Sequence, residues 1–160
     1  MLDVACGQGR HLRYLSSLGY SVVGVDRDEQ AVSALAALDG AEVRVANLEA
    51  GPWPFPPGGF DGVVVTNYLH RPIFRDLVAA LRPGGVLIYE TFALGNERYG
   101  RPSNPEFLLR PGELLRNVEP LAVIAFEQGL VSAPKRALIQ RICAVYHGAG
   151  PSGAQAIALE

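Results

Sequence analysis

Two short segments near the start of the chain hold the residues with the clearest chemical meaning. Residues 2–10 read Leu-Asp-Val-Ala-Cys-Gly-Gln-Gly-Arg, and Asp26 ends the next apolar run. Gly7 and Gly9 let the main chain approach a ligand closely, while the amides of a following helix point toward it. Asp3 lies inside an apolar run, where an ionised carboxylate without a partner would cost several kcal/mol. A ligand ammonium group or a network of main-chain amides would supply that partner.

Position 12 separates this loop from the dinucleotide-binding pattern. The G-x-G-x-x-G fingerprint requires a third glycine, and Leu12 stands in its place. Asp26 follows the second apolar run, where the carboxyl edge of a sheet would present an acid to a ribose diol. Because no recognisable set of hydride-transfer residues is present either, a nicotinamide-dependent oxidoreductase is disfavoured.

A sheet must hold these residues, and short apolar runs alternate with helical patterns along the chain. Strands are predicted at residues 2–6, 21–25, 42–46, 60–66 and 86–92. Residues 49–59 are rich in Pro and Gly and too short for a full helix, so the third crossover is abbreviated. Pro83-Gly84-Gly85 is predicted to turn into the fifth strand.

Four helices are predicted from apolar spacing and from their boundary residues. The first helix ends at Gly19. The second begins after its cap, Asp28, and ends at Gly40. The third begins at Pro72 and the fourth at Pro111. Their predicted buried residues are Leu12, Leu15 and Leu18; Ala31, Val32, Leu35 and Leu38; Ile73, Phe74, Leu77, Val78 and Leu81; and Leu114, Leu115 and Val118.

The rhythm changes toward the end of the chain. Residues 121–128 and 137–146 are predicted strands with only a short connection between them, which favours an antiparallel pair. The predicted fold class is therefore α/β, a Rossmann-like, doubly wound, mostly parallel sheet with a C-terminal antiparallel hairpin. Residues 1–147 are predicted to form one domain, and residues 148–160 a weakly ordered tail.

Composition limits the classes of function. The 160 residues are 49% hydrophobic and carry a formal net charge of −2 without a basic block, so we expect one domain that does not bind nucleic acid. No apolar run is long enough to span a bilayer. Cys6 and Cys143 do not make a disulfide framework, which favours the cytoplasm, and the histidines and cysteines lack metal-ligand spacing. The oligomeric state stays open.

Four segments resemble motifs of class I S-adenosylmethionine-dependent methyltransferases. Residues 2–10 and 22–26 look like the first two motifs, residues 60–67 like the fourth-strand motif, and residues 81–88 like the turn into strand five. The Gly-x-Gly-Arg variant, with Gly19-Tyr20-x-Val22 beyond it, is similar to bacterial tellurite methyltransferases. The resemblance implies a seven-stranded sheet, S-adenosyl-L-methionine as cofactor, and in-line methyl transfer to a small molecule.

The resemblance also implies roles for cofactor-binding residues. The methionine portion would be held by Asp3, Gly7 and Gly9, and the ribose hydroxyls by Asp26. Arg10, in the first turn of the first predicted helix, is separately expected to meet the cofactor carboxylate. The adenine would lie beside Arg27 and near Asn47 and Leu48, where the family often has an Asp in place of the Asn. Asn67, at the end of strand four, would line the cofactor through its main chain.

The methyl acceptor is expected beyond the carboxyl ends of strands four and five. The candidate catalytic residues there are Tyr68, His70, Glu90 and Tyr99, with Arg101 beside them on a long polar loop. Each also has an ordinary interpretation as a packed or solvated side chain. A general base is needed only if the acceptor arrives protonated. The acceptor atom stays open among oxygen, nitrogen, sulfur and a metalloid.

Members of the resembled family carry a helical segment before strand one that covers the cofactor. Here Asp3 is the third residue of the sequence, which leaves two interpretations. We favour a sequence that is internal to a longer gene product over a trimmed domain with an open site. A non-catalytic S-adenosylmethionine-binding sensor or partner subunit is the alternative function.

Overall fold

The computed structural model describes residues 1–148, and its backbone is organised around seven strands. They are β1 (Leu2–Val4), β2 (Val22–Asp26), β3 (Ala41–Val45), β4 (Phe60–Thr66), β5 (Leu81–Phe92), β6 (Ala122–Val131) and β7 (Ala137–Val145). The strands form one sheet in the order β3-β2-β1-β4-β5-β7-β6. β1 to β5 run parallel, whereas β7 is antiparallel to both β5 and β6. The predicted fold class and its C-terminal hairpin are confirmed.

Within residues 1–148, four α-helices connect the strands: α1 (Arg10–Ser17), α2 (Glu29–Ser33), α3 (Phe74–Ala80) and α4 (Glu113–Asn117). The predicted cap of α2 is confirmed, because the Asp28 carboxylate accepts hydrogen bonds from the amides of Gln30 and Ala31. The predicted length of this helix is wrong. After Ser33 the chain continues in tight turns, in which the amide of Leu35 donates to the carbonyl of Val32 at 2.9 Å.

Two residues predicted to be buried lie at the surface. Leu18 is 56% exposed and Leu115 is 38% exposed. Leu18 follows the last residue of α1, where the chain has left the helical face that buries Leu12. Leu115 follows the fully buried Leu114 directly, and neighbouring residues of a helix point in different directions.

The turn predicted at Pro83-Gly84-Gly85 is also wrong, because these residues belong to β5. Pairing with β4 begins at Leu81, opposite Phe60, and the register shifts between Phe60 and Gly62. The regular ladder starts at Val86, where the sequence predicted the strand to begin. The irregularity accommodates Pro83, which has no amide N–H to donate to a regular ladder in the interior of a sheet.

Helices cover both faces of the sheet, which places the cores on two sides. Leu12 of α1 and Leu35 form a small core with Val22 on one face. The larger core, on the other face, joins buried residues of β1, β4 and β5 to α3 and α4, among them Leu2, Val4, Val63, Val65, Leu77, Leu87, Tyr89 and Leu114. Because the parallel strands are buried on both faces, their carboxyl ends are held rigidly at one edge.

The remaining predictions concern the ends and the connections. Residues 46–59 contain no helix, which confirms the abbreviated third crossover, and Phe55 packs there against Phe60. The predicted tail lies outside the described residues apart from Gly148. Within residues 1–148 no helix is long and apolar enough to cross a membrane.

Candidate functional site

The loop between β1 and α1 has an unusual backbone. Ala5, Gly7 and Gly9 have φ angles of +54°, +52° and +76°. A side chain at Gly9 would also collide with Leu35, since an added Cβ would lie 2.5 Å from Cδ2 of that residue. Glycine at this position therefore satisfies both the conformation and the contact with the helical layer. The loop brings the first turn of α1 to the carboxyl end of β1.

Asp26 ends β2 and is bound to the glycine loop. Its Oδ2 accepts a hydrogen bond of 2.8 Å from the amide of Gly7, and its Oδ1 accepts one of 3.0 Å from the amide of Asp28. Each carboxylate oxygen has a second lone pair. The side chain is thus fixed in position and can still accept hydrogen bonds from a ligand.

Asp3 lies in β1 and is only 1% exposed. Its Oδ2 has no hydrogen-bond partner among the described residues. Burial raises the pKa of this carboxyl group to about 7, against the opposing effects of the Leu12 amide and the Arg10 charge. A cationic ligand group at this point would satisfy the unpaired oxygen, so the Asp3 carboxylate fits the ammonium of S-adenosylmethionine.

A cavity of about 150 Å³ opens beside Asp26 at the carboxyl edge of the sheet. Its lining includes Asp26, Arg27, Asn47, Leu48, Glu49 and Tyr68. We call it the Asp26 pocket. The four residues predicted from the sequence to hold ribose and adenine therefore share one cavity. Asn47 has a local role as well, because its Oδ1 accepts a hydrogen bond from the amide of Glu49 at 3.0 Å.

Tyr68 lies in the Asp26 pocket, although its sequence position suggested the acceptor side. Burial, with the nearby Glu49 charge, raises the pKa of its hydroxyl to about 12. The hydroxyl therefore stays protonated near neutral pH and is a hydrogen-bond donor there rather than a base. The main-chain carbonyl oxygen of Tyr68 accepts a hydrogen bond of 2.8 Å from the hydroxyl of Tyr89.

A second cavity, of about 350 Å³, lies between the carboxyl end of β5, the loop after it and the turn joining β6 to β7. The structure brings together there five residues predicted from the sequence: Arg10, Asn67, Glu90, Tyr99 and Arg101. His70 lines neither this cavity nor the Asp26 pocket. It is half-buried and immediately precedes a short 3-10 turn at Arg71–Ile73.

Several residues of the second cavity were missed by sequence reasoning. Lys135, Arg136 and Arg141 come from the β6–β7 turn and from β7. Their charge type was visible, but nothing in the sequence indicated that the hairpin folds back over the loop after β5. Within residues 1–148 no group of three or more potential metal ligands is assembled.

His11 has a closer relation to this region than the sequence suggested. Its Nδ1 lies 3.4 Å from Oγ1 of Thr66, at the end of β4. Burial lowers the pKa of the imidazole, and so does Arg10, while Glu90 opposes them. The ring is therefore neutral near pH 7.

The model of a protein family described as a methyltransferase domain matches residues 1–85 of this chain. The chain belongs to this family. The matched segment contains the glycine loop, Asp26, Asn47 and Asn67, whereas Tyr99, Lys135 and Arg141 lie beyond it. The predicted membership of the methyltransferases is confirmed.

Comparisons with curated proteins and solved structures agree. Uncharacterized methyltransferases of Schizosaccharomyces pombe are 36% identical over 81 residues, which are 48% of this chain and 54% of theirs. The chain thus spans about half the length of the curated relatives it matches.

Three solved structures share the fold. An S-adenosylmethionine-dependent methyltransferase of Methanosarcina mazei has a TM-score of 0.70 and 21% identity, with 91% of each chain covered. One from Mesorhizobium loti has a TM-score of 0.72 and 20% identity, covering 90% of this chain and 89% of the other. TehB of Haemophilus influenzae has a TM-score of 0.74 and 17% identity, and the match covers 91% of this chain and 57% of TehB.

Proposed function

We propose that this chain binds S-adenosylmethionine at the carboxyl edge of the sheet and transfers its methyl group to a small molecule in the adjoining cavity. The observation that carries the proposal is the buried Oδ2 of Asp3, which has no partner among the described residues. In its ionised form, a carboxyl group this deeply buried is stabilised by a cationic partner. The ammonium of S-adenosylmethionine supplies one, whereas the pyrophosphate of a nicotinamide dinucleotide would be repelled.

The other cofactor contacts follow from the positions of the residues. Asp26 would accept hydrogen bonds from the ribose hydroxyls, since main-chain amides fix its carboxylate and the residue lines the Asp26 pocket. The adenine would be held among Arg27, Asn47, Leu48 and Tyr68. The methionine would lie along Gly7, Gly9 and the main chain of Asn67, with its carboxylate toward Arg10.

When bound, the cofactor supplies an electrophilic methyl group on a sulfonium. The chain's contribution would be alignment of the acceptor, a kind of effect worth roughly 7–11 kcal/mol in favourable cases. Glu90 and Tyr99 line the second cavity, where an acceptor would lie. Glu90 forms an ion pair with Arg141, 3.6 Å away. A proton released by the acceptor would pass to this carboxylate. His70 has no part in this proposal.

The experiment is calorimetric titration with S-adenosylhomocysteine and, separately, with NAD. S-Adenosylhomocysteine is expected to bind and to raise the melting temperature by several degrees, while NAD does neither. Asp26→Ala is expected to abolish the binding. Asp61→Asn is the control variant, because Asp61 is an exposed acid near the amino end of β4, away from the carboxyl ends of the strands. Binding of NAD in preference to S-adenosylhomocysteine would refute the proposal.

A separate assay distinguishes an enzyme from a sensor. A cell extract depleted of small proteins is incubated with the chain and with S-adenosylmethionine labelled on the methyl group. Transfer of label to a small molecule is expected with the wild-type chain and not with Asp26→Ala. Binding without any transfer of label would favour the non-catalytic sensor. No feature of residues 1–148 supports that alternative.

A further inference from the structure

The second cavity has an unusual charge for a chain with a net charge of −2. Its lining contains five cationic side chains, those of Arg10, Arg101, Lys135, Arg136 and Arg141, and one carboxylate, that of Glu90. Lys135 is the only lysine of the sequence. We call this cavity the basic pocket. Low-dielectric walls concentrate the field of such a cluster, so it attracts anions more strongly than a flat surface would.

Most of these charges are not neutralised by the protein itself. Arg141 is paired with Glu127 and lies 3.6 Å from Glu90. Among residues 1–148, no carboxylate forms an ion pair with any of the other four cations. Free guanidinium and ammonium groups are the donors that proteins use for carboxylates and phosphates.

The pocket is shaped by contacts between its two walls. Arg136, the last residue of the β6–β7 turn, lies over the ring of Tyr99 from the loop after β5, 5.0 Å from its centroid. Lys135 approaches the same loop, with its Nζ 3.4 Å from the position that a Cβ on Gly100 would take. Phe92 and Ile139 give the pocket an apolar part of its lining.

The basic pocket adjoins the proposed cofactor site. Arg10, the first residue of α1, lines it, and so does Asn67 at the end of β4. Asn67 also lines a smaller cavity that it shares with Arg27 and Tyr68 of the Asp26 pocket. A molecule in the basic pocket would therefore have one end near the cofactor and the other among Arg101, Lys135 and Arg136.

We propose that the basic pocket selects an acceptor with an apolar body and a carboxylate or phosphate group, which Arg101, Lys135 and Arg136 bind. The proposal rests on the proposed function for the identity of the bound molecule as a methyl acceptor. The binding of anions itself does not depend on methyl transfer. A cavity of about 350 Å³ suits a small molecule.

The test uses matched probes on the wild-type chain, with and without saturating S-adenosylhomocysteine. Benzoate and benzamide have the same shape and differ in charge, and phenyl phosphate separates phosphate from carboxylate binding. Titration followed by calorimetry at low ionic strength and about pH 8 is expected to give binding of at least one anion in the low-millimolar range. Benzamide is expected to bind at least about tenfold more weakly. Added salt is expected to weaken the binding of the anion.

The variant R101Q/K135Q/R136Q removes three exposed positive charges of the pocket without touching the Asp26 pocket. It is expected to weaken anion binding at least about tenfold, with unchanged affinity for S-adenosylhomocysteine. The control is R75Q/R98Q, which removes exposed arginines that do not line the pocket, one of them on the same loop. Melting temperatures verify that both variants are folded.

Equal binding of benzoate and benzamide would overturn the proposal, and so would anion binding that survives in R101Q/K135Q/R136Q. Failure of both anions to bind at low-millimolar concentration would overturn it too. Tight binding of a short single-stranded oligonucleotide, lost in the same variant, would replace it with nucleic-acid binding. Anion binding without binding of S-adenosylhomocysteine would instead contradict the proposed function and leave the anion site in place.

Discussion

The amide of Gly7 donates a hydrogen bond of 2.8 Å to Oδ2 of Asp26, 19 residues further along the chain. This bond joins the glycine loop after β1 to the acid at the end of β2. The two features that the sequence singles out separately are therefore one structural unit. Any ligand held by Asp26 also lies against the loop, and a change in the loop alters the position of the carboxylate.

Gly7→Ala and Gly9→Ala are expected to differ in cost. Both positions have positive φ, which penalises alanine by about 1–2 kcal/mol. At Gly7 nothing lies within 4 Å of an added Cβ, whereas at Gly9 the Leu35 side chain would have to move. We therefore expect Gly9→Ala to lower the free energy of unfolding by about 2–4 kcal/mol, measured by urea denaturation.

Gly19→Ala is the control for these variants, because Gly19 has a φ of +85° and open space around it. It is expected to cost as much stability as Gly7→Ala and to leave S-adenosylhomocysteine binding unchanged. Gly7→Ala is expected to weaken that binding. Equal affinities in the two variants would show that the loop does not position the ligand.

Asp3→Asn is expected to change how stability depends on pH. The folded-state pKa of Asp3 is raised from 3.8 to about 7, so the folded protein holds this proton more tightly than the unfolded chain does. The wild-type chain therefore loses stability as pH rises from about 4 to about 7, by up to about 4 kcal/mol. The variant lacks this loss, so its advantage over the wild type grows across that range.

Urea denaturation at a series of pH values measures the effect, with Asp61→Asn as the control substitution. The same Asp3→Asn variant is expected to bind S-adenosylhomocysteine at least about tenfold more weakly at neutral pH, because the ammonium loses its buried partner. A gain in stability with a loss of binding is typical of a functional charge. A pH profile identical to that of the wild type would refute the assignment.

The fold was predictable because its signals are local. The apolar run at residues 60–66 corresponds residue for residue to β4, and the Asp28 cap is recognisable from the residue type alone. The errors occur where tertiary contacts decide. Leu115 fits the apolar spacing of α4, but the neighbouring Leu114 takes the buried position. Pro83 indicates a break, yet the sheet accommodates it in a register shift.

In the candidate site, too, some placements follow from local sequence signals and others depend on tertiary contacts. Asp26, Arg27, Asn47 and Leu48 follow the ends of neighbouring strands, so their meeting in one cavity follows from a parallel sheet. Lys135 and Arg136 reach the second cavity only because the β6–β7 hairpin folds back on the loop after β5. That placement depends on contacts far apart in sequence, such as the one between Arg136 and Tyr99.

Tyr89→Phe tests the support beneath the Asp26 pocket. The Tyr89 hydroxyl donates a hydrogen bond of 2.8 Å to the carbonyl of Tyr68, and its ring stacks on Phe74 with centroids 5.3 Å apart. Phenylalanine would keep the stacking and leave a buried carbonyl without its donor. We expect a loss of about 1–2 kcal/mol in the free energy of unfolding. Tyr14→Phe is the control at an exposed position, and an equal loss there would contradict this explanation.

The ion pair of Arg71 and Glu113 anchors the loop after β5. Nε and Nη2 of Arg71 lie 2.6 and 3.1 Å from the two carboxylate oxygens, and Nη2 also donates to the carbonyl of Leu108 at 3.0 Å. Burial opposes ionisation of Glu113, but the hydrogen bonds from Arg71 and from the Arg110 amide outweigh it and lower the pKa. The loop that carries Tyr99 and Arg101 is thereby attached to α4.

Glu113→Gln is expected to lower the free energy of unfolding by about 2–3 kcal/mol at neutral pH, because a partly buried charged hydrogen-bond pair is lost. The lowered pKa means that the wild-type contribution is present above the unfolded-state value of 4.5 and is lost as pH falls below it. The difference between the two proteins should therefore shrink in acid. Asp61→Asn breaks the exposed pair with Arg82, 2.9 Å apart, and is expected to cost less than about 1 kcal/mol. Equal losses in the two variants would mean that the Arg71–Glu113 pair contributes no more than a surface ion pair.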